Sequence, residues 1–106
     1  MRGDIYSVAA SGYASKPRPA VIVQSNETNL FDSVIIYLFT TDTSIDGPTR
    51  VSIQANKING LTKDCIIMAD KVVAVKKSSL RAKIGTLSNE DMQRVNAALK
   101  ITLGLS

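Results

Sequence analysis

The run at residues 33–40 constrains the fold more than any other segment of the chain. Its residues from Val34 to Phe39 are all apolar, and they are rich in β-branched and aromatic side chains. This composition over this length predicts a β-strand. Because the strand is apolar on both faces, both faces must be covered, so we expect it at the centre of a sheet.

Shorter strand candidates lie on either side of this run. Residues 5–10 and 20–24 are short apolar segments, and the second is rich in β-branched residues. Val51 and Ile53 alternate with polar neighbours, which is typical of a half-exposed strand. Residues 65–77 are predicted to form one or two bent strands.

The end of the chain has a helical pattern instead. Ser88 and Asp91 have the spacing of an N-cap and its N3 residue. Apolar residues then recur at helical spacing before Gly104, which predicts the helix end: Met92, Val95, Leu99 and Leu103. Five to seven short strands and one C-terminal helix predict a mainly β protein with a small, partly open barrel.

Composition narrows the possible chemistry. The 106 residues predict one domain, and with no histidine and a single cysteine we expect no metal site and no cofactor. Catalysis would have to use Arg, Lys, Asp, Glu, Ser, Thr or Tyr.

Cys65 lies in an apolar run and is interpreted as a buried structural thiol. With no disulfide partner, no signal peptide pattern and no membrane-length apolar run, we expect a cytoplasmic protein.

The net charge of the chain indicates what kind of molecule it binds. The formal net charge is +4 and the isoelectric point is about 9.4. A small basic domain favours a polyanionic partner, with nucleic acid as the first candidate. Many small proteins are this basic, so charge alone does not decide the function.

The most specific motif follows a predicted loop at residues 11–19. Residues 16–25 begin Lys-Pro-Arg-Pro and continue into a buried strand. This element resembles the signature of the MazF/PemK/Kid toxins, in which a loop ending in Arg-Pro precedes such a strand. Other segments match the family's order over essentially the whole chain: 2–6, 39–42, 68–72, 84–88 and 103–105.

This resemblance implies that residues 1–106 form a single MazF/PemK-like toxin domain with an SH3-like barrel of the CcdB/MazF type. It implies a homodimer, held inactive by a cognate antitoxin, MazE-like or other, whose flexible segment covers the RNA groove. The implied activity is metal-independent, sequence-selective cleavage of single-stranded RNA. In that reaction a ribose 2′-hydroxyl attacks the adjacent phosphate and leaves a cyclic phosphate and a 5′-hydroxyl.

Three residues are the catalytic candidates. Arg18 can grip a phosphate through its planar guanidinium and stabilise developing charge. Thr40, at the end of the central strand, matches the family's catalytic Thr or Ser, with Thr41 as the alternative. Asp70 is either a base or a salt-bridge partner of its neighbour Lys71. Some relatives carry an arginine two residues before this acid, where this chain has Met68, so the paired Asp/Arg mechanism is not transferred.

The candidates for RNA binding are aromatic, basic or polar. Tyr13 can stack on a base, and other side chains can contact the backbone or bases: Lys16, Gln24, Thr41 and Lys71. A wider basic rim would add Lys76, Lys77, Arg81 and Lys83. Close relatives tend to carry an acid after the glycine of the first loop, whereas Gly12 here is followed directly by Tyr13, so this loop's RNA contacts are open.

Two other functions remain open at this point. One is a toxin of the same fold that binds a protein target, as CcdB does, without nuclease activity. The other is a non-catalytic RNA-binding barrel. The Lys-Pro-Arg-Pro element argues against the first, and an RNA cleavage assay separates both from a nuclease.

Overall fold

The computed structural model describes residues 1–9, 16–28 and 31–105. Within these ranges the chain forms seven strands and one α-helix, with short 3-10 turns at Asn26–Thr28 and Lys77–Ser79. The strands and the helix are, in chain order, β1 (Asp4–Val8), β2 (Arg18–Ile22), β3 (Ser33–Thr40), β4 (Arg50–Ile53), β5 (Cys65–Met68), β6 (Val73–Lys76), β7 (Leu80–Thr86) and α1 (Asn89–Leu103). The predicted mainly β fold with a C-terminal helix is confirmed.

β3 is the central strand, as its sequence predicts. The strand order is β4-β5-β3-β2-β1-β7, all pairs are antiparallel, and β6 also pairs with β3. One edge of β3 pairs with β2. Its other edge is shared, because the first half pairs with β6 and the last two residues, Phe39 and Thr40, pair with β5.

The two apolar faces of β3 enter two separate core clusters. Tyr37 and Phe39 are buried in a large cluster that also holds the buried face of α1. Val34 and Ile36 are buried in a smaller cluster on the other side of the sheet. Side chains alternate between the faces of a strand, so a run that is apolar at nearly every position supplies both clusters.

The helix begins and ends where the sequence predicts. The Asp91 N–H donates to Ser88 Oγ at 3.1 Å, and Gly104 ends the helix in the left-handed conformation with φ 69°. The predicted apolar stripe ends one turn early, because Leu103 is exposed. In this last turn it is Thr102 that contacts the turn after β5, since its hydroxyl donates to the Ala69 carbonyl at 2.8 Å. No helix in residues 1–9, 16–28 and 31–105 has the length and apolar character to cross a bilayer.

Two features of the strands differ from the prediction. β2 begins at Arg18, whereas the loop was predicted to continue to residue 19. Pro19 pairs with Ser7 of β1, so the strand includes it. Proline has no backbone N–H, but the pairing of β2 with β3 begins only at Ala20, so no hydrogen bond to β3 is lost. β7 was not predicted, although Leu80, Ala82 and Ile84 alternate with Arg81 and Lys83 as in a half-exposed strand. The alternation covers only five residues, and none of the seven residues of β7 is buried.

Candidate active site

A cavity of about 320 Å³ opens where β2 begins and β3 ends. Extending the β2–β3 register by two residues from the pair Ala20 and Leu38 brings Arg18 level with Thr40. The lining residues come from these two strand ends, from the segment before β5 and from β7: Arg18, Pro19, Phe39, Thr40, Thr41, Gly60, Leu61, Thr62, Lys63, Cys65 and Ile84. Two of the three predicted catalytic residues therefore share one cavity.

Arg18 offers an unengaged guanidinium to this cavity. The residue is exposed, and within the described part of the chain its side chain makes no hydrogen bond or ion pair. Pro17 and Pro19 restrict the backbone on either side. A guanidinium held from a restricted backbone loses less freedom when it binds, and it can grip a phosphate with two parallel hydrogen bonds.

Thr40 has its hydroxyl partly engaged. Its Oγ1 accepts a hydrogen bond from the Asp42 backbone N–H at 3.1 Å. A hydroxyl that accepts in this way keeps its own hydrogen to donate. The Asp42 side chain in turn accepts from the Ser44 N–H at 2.9 Å. Hydrogen bonding by the Ser44 side chain, then by the Ser44 backbone, lowers the pKa of Asp42 from 3.8, and the charge of Arg50 adds a smaller lowering. Thr40 is thus held by an ordered turn and can donate into the cavity.

One wall of the cavity, formed by the segment before β5, is braced by a buried asparagine. Asn59 is 1% exposed, and its side-chain oxygen accepts from the Asn56 and Leu61 backbone N–H groups at 3.0 and 3.1 Å. Its amide nitrogen donates to the Gln54 carbonyl at 2.8 Å. Gly60 follows with φ 69°, and a Cβ there would lie 2.2 Å from the Ile84 carbonyl oxygen. The backbone of this wall therefore packs directly against the backbone of β7.

Cys65 lines the cavity as a neutral thiol. Burial raises its pKa from 9.0, the nearby Asp64 raises it further, and Lys63 lowers it in part. The Cys65 Sγ is 3.1 Å from the Lys63 carbonyl, to which it donates. A nucleophilic cysteine needs the thiolate form, which this environment disfavours. The geometry agrees with the structural thiol predicted from the sequence.

Asp70 does not line the cavity. It lies in the turn after β5, where Arg50 Nε approaches one carboxylate oxygen to 3.0 Å and Arg50 Nη2 approaches the other to 3.3 Å. The salt-bridge partner is thus Arg50, from the neighbouring strand, and not Lys71 as the sequence suggested.

The predicted RNA-binding residues are spread over the surface. Thr41 lines the cavity, and Lys16 is exposed two residues before Arg18. Gln24 lies beyond the far end of β2, where its amide donates to the Thr28 carbonyl and its oxygen accepts from the Ile35 N–H. Lys71 is exposed in the turn that holds Asp70. Tyr13 lies outside the described residues.

Sequence reasoning missed two basic residues. Lys63 lines the cavity, and Arg50 binds Asp70. The available signals were the Asn59-Gly60 turn, which precedes the lysine, and the position of Arg50 at the start of an alternating strand. Within the described ranges, no group of three or more His, Cys, Asp or Glu side chains is placed to hold a metal ion.

The comparisons with known proteins agree on one family. Residues 1–103 match the family model described as PemK-like, MazF-like toxin of type II toxin–antitoxin system. The chain is 39% identical over 106 residues to the probable endoribonuclease MazF of Mycolicibacterium smegmatis, covering 99% of this chain and 97% of that one. It is 32% identical over 110 residues to the endoribonuclease MazF of Staphylococcus saprophyticus, covering 98% and 91%.

Among solved structures, the chain resembles a mycobacterial endoribonuclease in complex with its cognate antitoxin. The TM-score is 0.84 at 29% identity, over 100% of this chain and 96% of that chain. The predicted small barrel of the MazF type is confirmed by this likeness. The chain therefore belongs to the PemK-like, MazF-like toxins of type II toxin–antitoxin systems, and it is an endoribonuclease of this family. The two alternative functions are accordingly set aside.

Proposed function

We propose that this toxin cuts single-stranded RNA without a metal ion, at selected sequences, through attack of a ribose 2′-hydroxyl on the adjacent phosphate. The 2′-hydroxyl loses its proton as its oxygen forms a bond to phosphorus, and the leaving 5′-oxygen takes up a proton as its bond to phosphorus breaks. The products carry a cyclic phosphate and a 5′-hydroxyl. The observation that carries the proposal is that Arg18 and Thr40, from neighbouring strand ends, line the same cavity.

Arg18 stabilises the charge that develops on the phosphate. The non-bridging oxygens gain negative charge as the 2′-oxygen attacks, and a fixed donor at that charge usually gives the largest catalytic term. The guanidinium fits because it is always charged and presents its N–H donors in a planar fork. Since its side chain is not engaged elsewhere in the described residues, it binds phosphate without first breaking a contact.

Thr40 donates a hydrogen bond to the same phosphate or to the attacking hydroxyl. Its oxygen already accepts from the Asp42 N–H, and its own hydrogen is left to donate. The described lining residues include no carboxylate, and the chain has no histidine. Catalysis then depends mainly on charge stabilisation and positioning, so we expect slow turnover and a broad pH profile.

The partner is a cognate antitoxin, MazE-like or other, that covers this cavity and blocks RNA. The support is the likeness to a solved endoribonuclease bound to its antitoxin. An exposed arginine beside an open cavity suits an acidic segment of such an antitoxin as well as it suits RNA phosphate. The expected compartment is the cytoplasm, where RNA and antitoxin would both be met.

The toxin is also proposed to form a homodimer. The end of α1 and the turn before β6 expose apolar side chains: Val72, Ile101, Leu103 and Leu105, each 44–59% exposed. A stable dimer buries on the order of 1,600 Å² in total. Light scattering at tens of micromolar should give twice the chain mass, and a monomer at that concentration would refute the dimer.

The cleavage reaction is tested with purified protein and matched single-stranded and duplex RNA in excess EDTA. The proposal expects cleavage of the single strand, 2′,3′-cyclic phosphate and 5′-hydroxyl ends, and a largely intact duplex. Activity that requires added magnesium or zinc, or products that carry 5′-phosphates, would overturn it. Arg18→Ala, tested in parallel, controls for contaminating ribonuclease.

A further inference from the structure

We infer that Lys63 is a second phosphate-binding residue, which holds the RNA phosphate next to the scissile one in the cavity that Arg18 also lines. The inference rests on the proposed function and extends it to a residue that the sequence motifs do not single out. Its role is in RNA binding, whereas Arg18 and Thr40 act on the scissile phosphate.

The first support is the charge of the cavity. Among the lining residues that the structure describes, Arg18 and Lys63 are charged, and both are positive. Neither side chain forms an ion pair or a hydrogen bond within those residues. Asp64, the acid beside Lys63, directs its Oδ1 to the Ala55 N–H at 2.8 Å and does not line the cavity. Two uncompensated cations around one cavity create a positive potential that favours an anion.

The second support is the rigidity of the wall that carries Lys63. Asn59 fixes the turn before it with three side-chain hydrogen bonds to the backbone and is almost fully buried. Gly60 and Gly85 allow the turn to approach β7 so closely that a Cβ at either would lie within 2.5 Å of backbone atoms. On the other side, the Cys65 thiol donates to the Lys63 carbonyl. The lysine backbone is therefore held in place before RNA arrives.

The third support is the position of the lysine relative to the reacting group. Arg18 begins β2, which pairs with one edge of β3, whereas Lys63 precedes β5, which pairs with the other edge at Phe39 and Thr40. A flexible lysine is a point charge that tracks phosphate without the fixed fork of arginine. An added backbone contact of this kind strengthens RNA binding and its salt dependence, while the chemical step depends on the groups at the scissile phosphate.

The test compares Lys63→Met with Lys57→Met. Lys57 is an exposed lysine near the same turn that does not line the cavity, so it controls for the loss of one positive charge. The binding probe is single-stranded RNA with 2′-fluoro sugars, which cannot be cut because the nucleophilic hydroxyl is absent. Kd is measured at about 50 and 200 mM salt, and kcat and KM are measured with ordinary RNA.

We expect Lys63→Met to raise Kd and KM about three- to tenfold at low salt and to reduce the salt slope of log K by about 0.7, the value for one phosphate contact on a single strand. Its kcat should stay within about twofold of the wild type, Lys63→Arg should restore most of the affinity, and Lys57→Met should bind nearly as the wild type does. Equal Kd and equal salt slope for the two methionine variants would overturn the inference, as would a large fall in kcat at unchanged Kd.

The two proposals can fail separately. If the wild type cuts RNA and Lys63→Met binds as tightly as Lys57→Met, the role of Lys63 is wrong and the proposed reaction stands. If the wild type leaves RNA intact while Lys63→Met still weakens binding with the smaller salt slope, the proposed reaction is wrong and the role of Lys63 stands.

Discussion

Arg50 and Asp70 form an ion pair between the start of β4 and the turn after β5, with 3.0 Å between Arg50 Nε and the nearer carboxylate oxygen. The Arg50 side chain is 8% exposed, whereas that of Asp70 is 36% exposed. The acid that the sequence nominates as a possible base is therefore held by a nearly buried arginine, outside the cavity that holds Arg18 and Thr40.

This unequal burial predicts unequal mutational effects. Asp70→Asn leaves the buried Arg50 guanidinium without its carboxylate, so we expect a loss of roughly 1 to 3 kcal/mol in the free energy of unfolding. Arg50→Met should cost less, because the exposed Asp70 carboxylate can be solvated. Urea unfolding compares the two. A kcat more than about a hundredfold lower for Asp70→Asn, with unfolding unchanged, would show instead that Asp70 is a catalytic base.

The buried Tyr37 hydroxyl predicts that the folded state loses stability at alkaline pH. Its hydroxyl is buried without a hydrogen-bond partner in the described residues, and burial, with a smaller effect of Asp70, raises its pKa above 10.0. The folded state thus holds the proton more tightly than the unfolded state does. This contribution to stability is full below pH 10 and is lost as the pH rises through the folded-state pKa.

Tyr37→Phe removes both the unpaired hydroxyl and this titration. We expect it to be neutral or to stabilise the fold by up to about 1 kcal/mol at pH 7. Between pH 8 and pH 10.5 the wild type should lose more stability than the variant in urea unfolding. A strong destabilisation at pH 7 would mean that the hydroxyl has a partner on which the fold depends.

Substitution of Gly85 tests how strongly the cavity wall depends on its close backbone contact with β7. A Cβ at this position would lie 2.4 Å from the Asn59 carbonyl carbon and the Ile58 oxygen. Gly85→Ala should therefore displace the turn, cost roughly 1 to 3 kcal/mol of stability and raise the KM for RNA. Gly104→Ala is the control. It strains the backbone at a residue with positive φ, but its added Cβ would have no neighbouring atom within 4 Å. A KM that rises equally in both variants would contradict the role of the wall.

Removal of the Thr40 hydroxyl should slow RNA cleavage moderately. Thr40→Ala removes one hydrogen bond, worth about 0.5 to 1.5 kcal/mol if the acceptor is the attacking hydroxyl and about 1.5 to 3 kcal/mol if it is the charged phosphate. We therefore expect a roughly 2- to 150-fold slower single-turnover rate. Thr40→Ser keeps the hydroxyl and should retain most of the rate. Thr41→Ala is the matched control from the same lining. A larger loss for Thr41→Ala than for Thr40→Ala would assign the catalytic hydroxyl to Thr41.

Local patterns in the sequence predicted much of the fold. β3 and the cap of α1 matched because their signals, a continuous apolar run and an N-cap with its N3 residue, act over a few neighbouring residues. β7 was missed even though Leu80, Ala82 and Ile84 alternate with two basic residues, because this pattern covers only five residues and none of them is buried. Its place in the sheet comes from pairing with β1, which is more than seventy residues away in the chain.

The site was predicted in the same uneven way. Arg18 and Thr40 were nominated by motif, and their common cavity follows from the β2–β3 register. Lys63 and Arg50 were missed because their placement depends on contacts between distant segments. Lys63 owes its place to Asn59 and to the approach of Gly60 to Ile84, and Arg50 meets Asp70 through the β4–β5 register. Such contacts leave no periodic trace in a single sequence.

The central claim is that Arg18 stabilises the transition state, and single-turnover cleavage measured beside RNA binding tests it most directly. Arg18→Ala should slow cleavage about a hundred- to a thousandfold, or roughly 3 to 4 kcal/mol of barrier, while RNA affinity falls only modestly. Arg18→Lys should recover little, because a point charge does not reproduce the planar fork. Cleavage at the wild-type rate by Arg18→Ala, or a loss explained entirely by weaker binding, would contradict the claim.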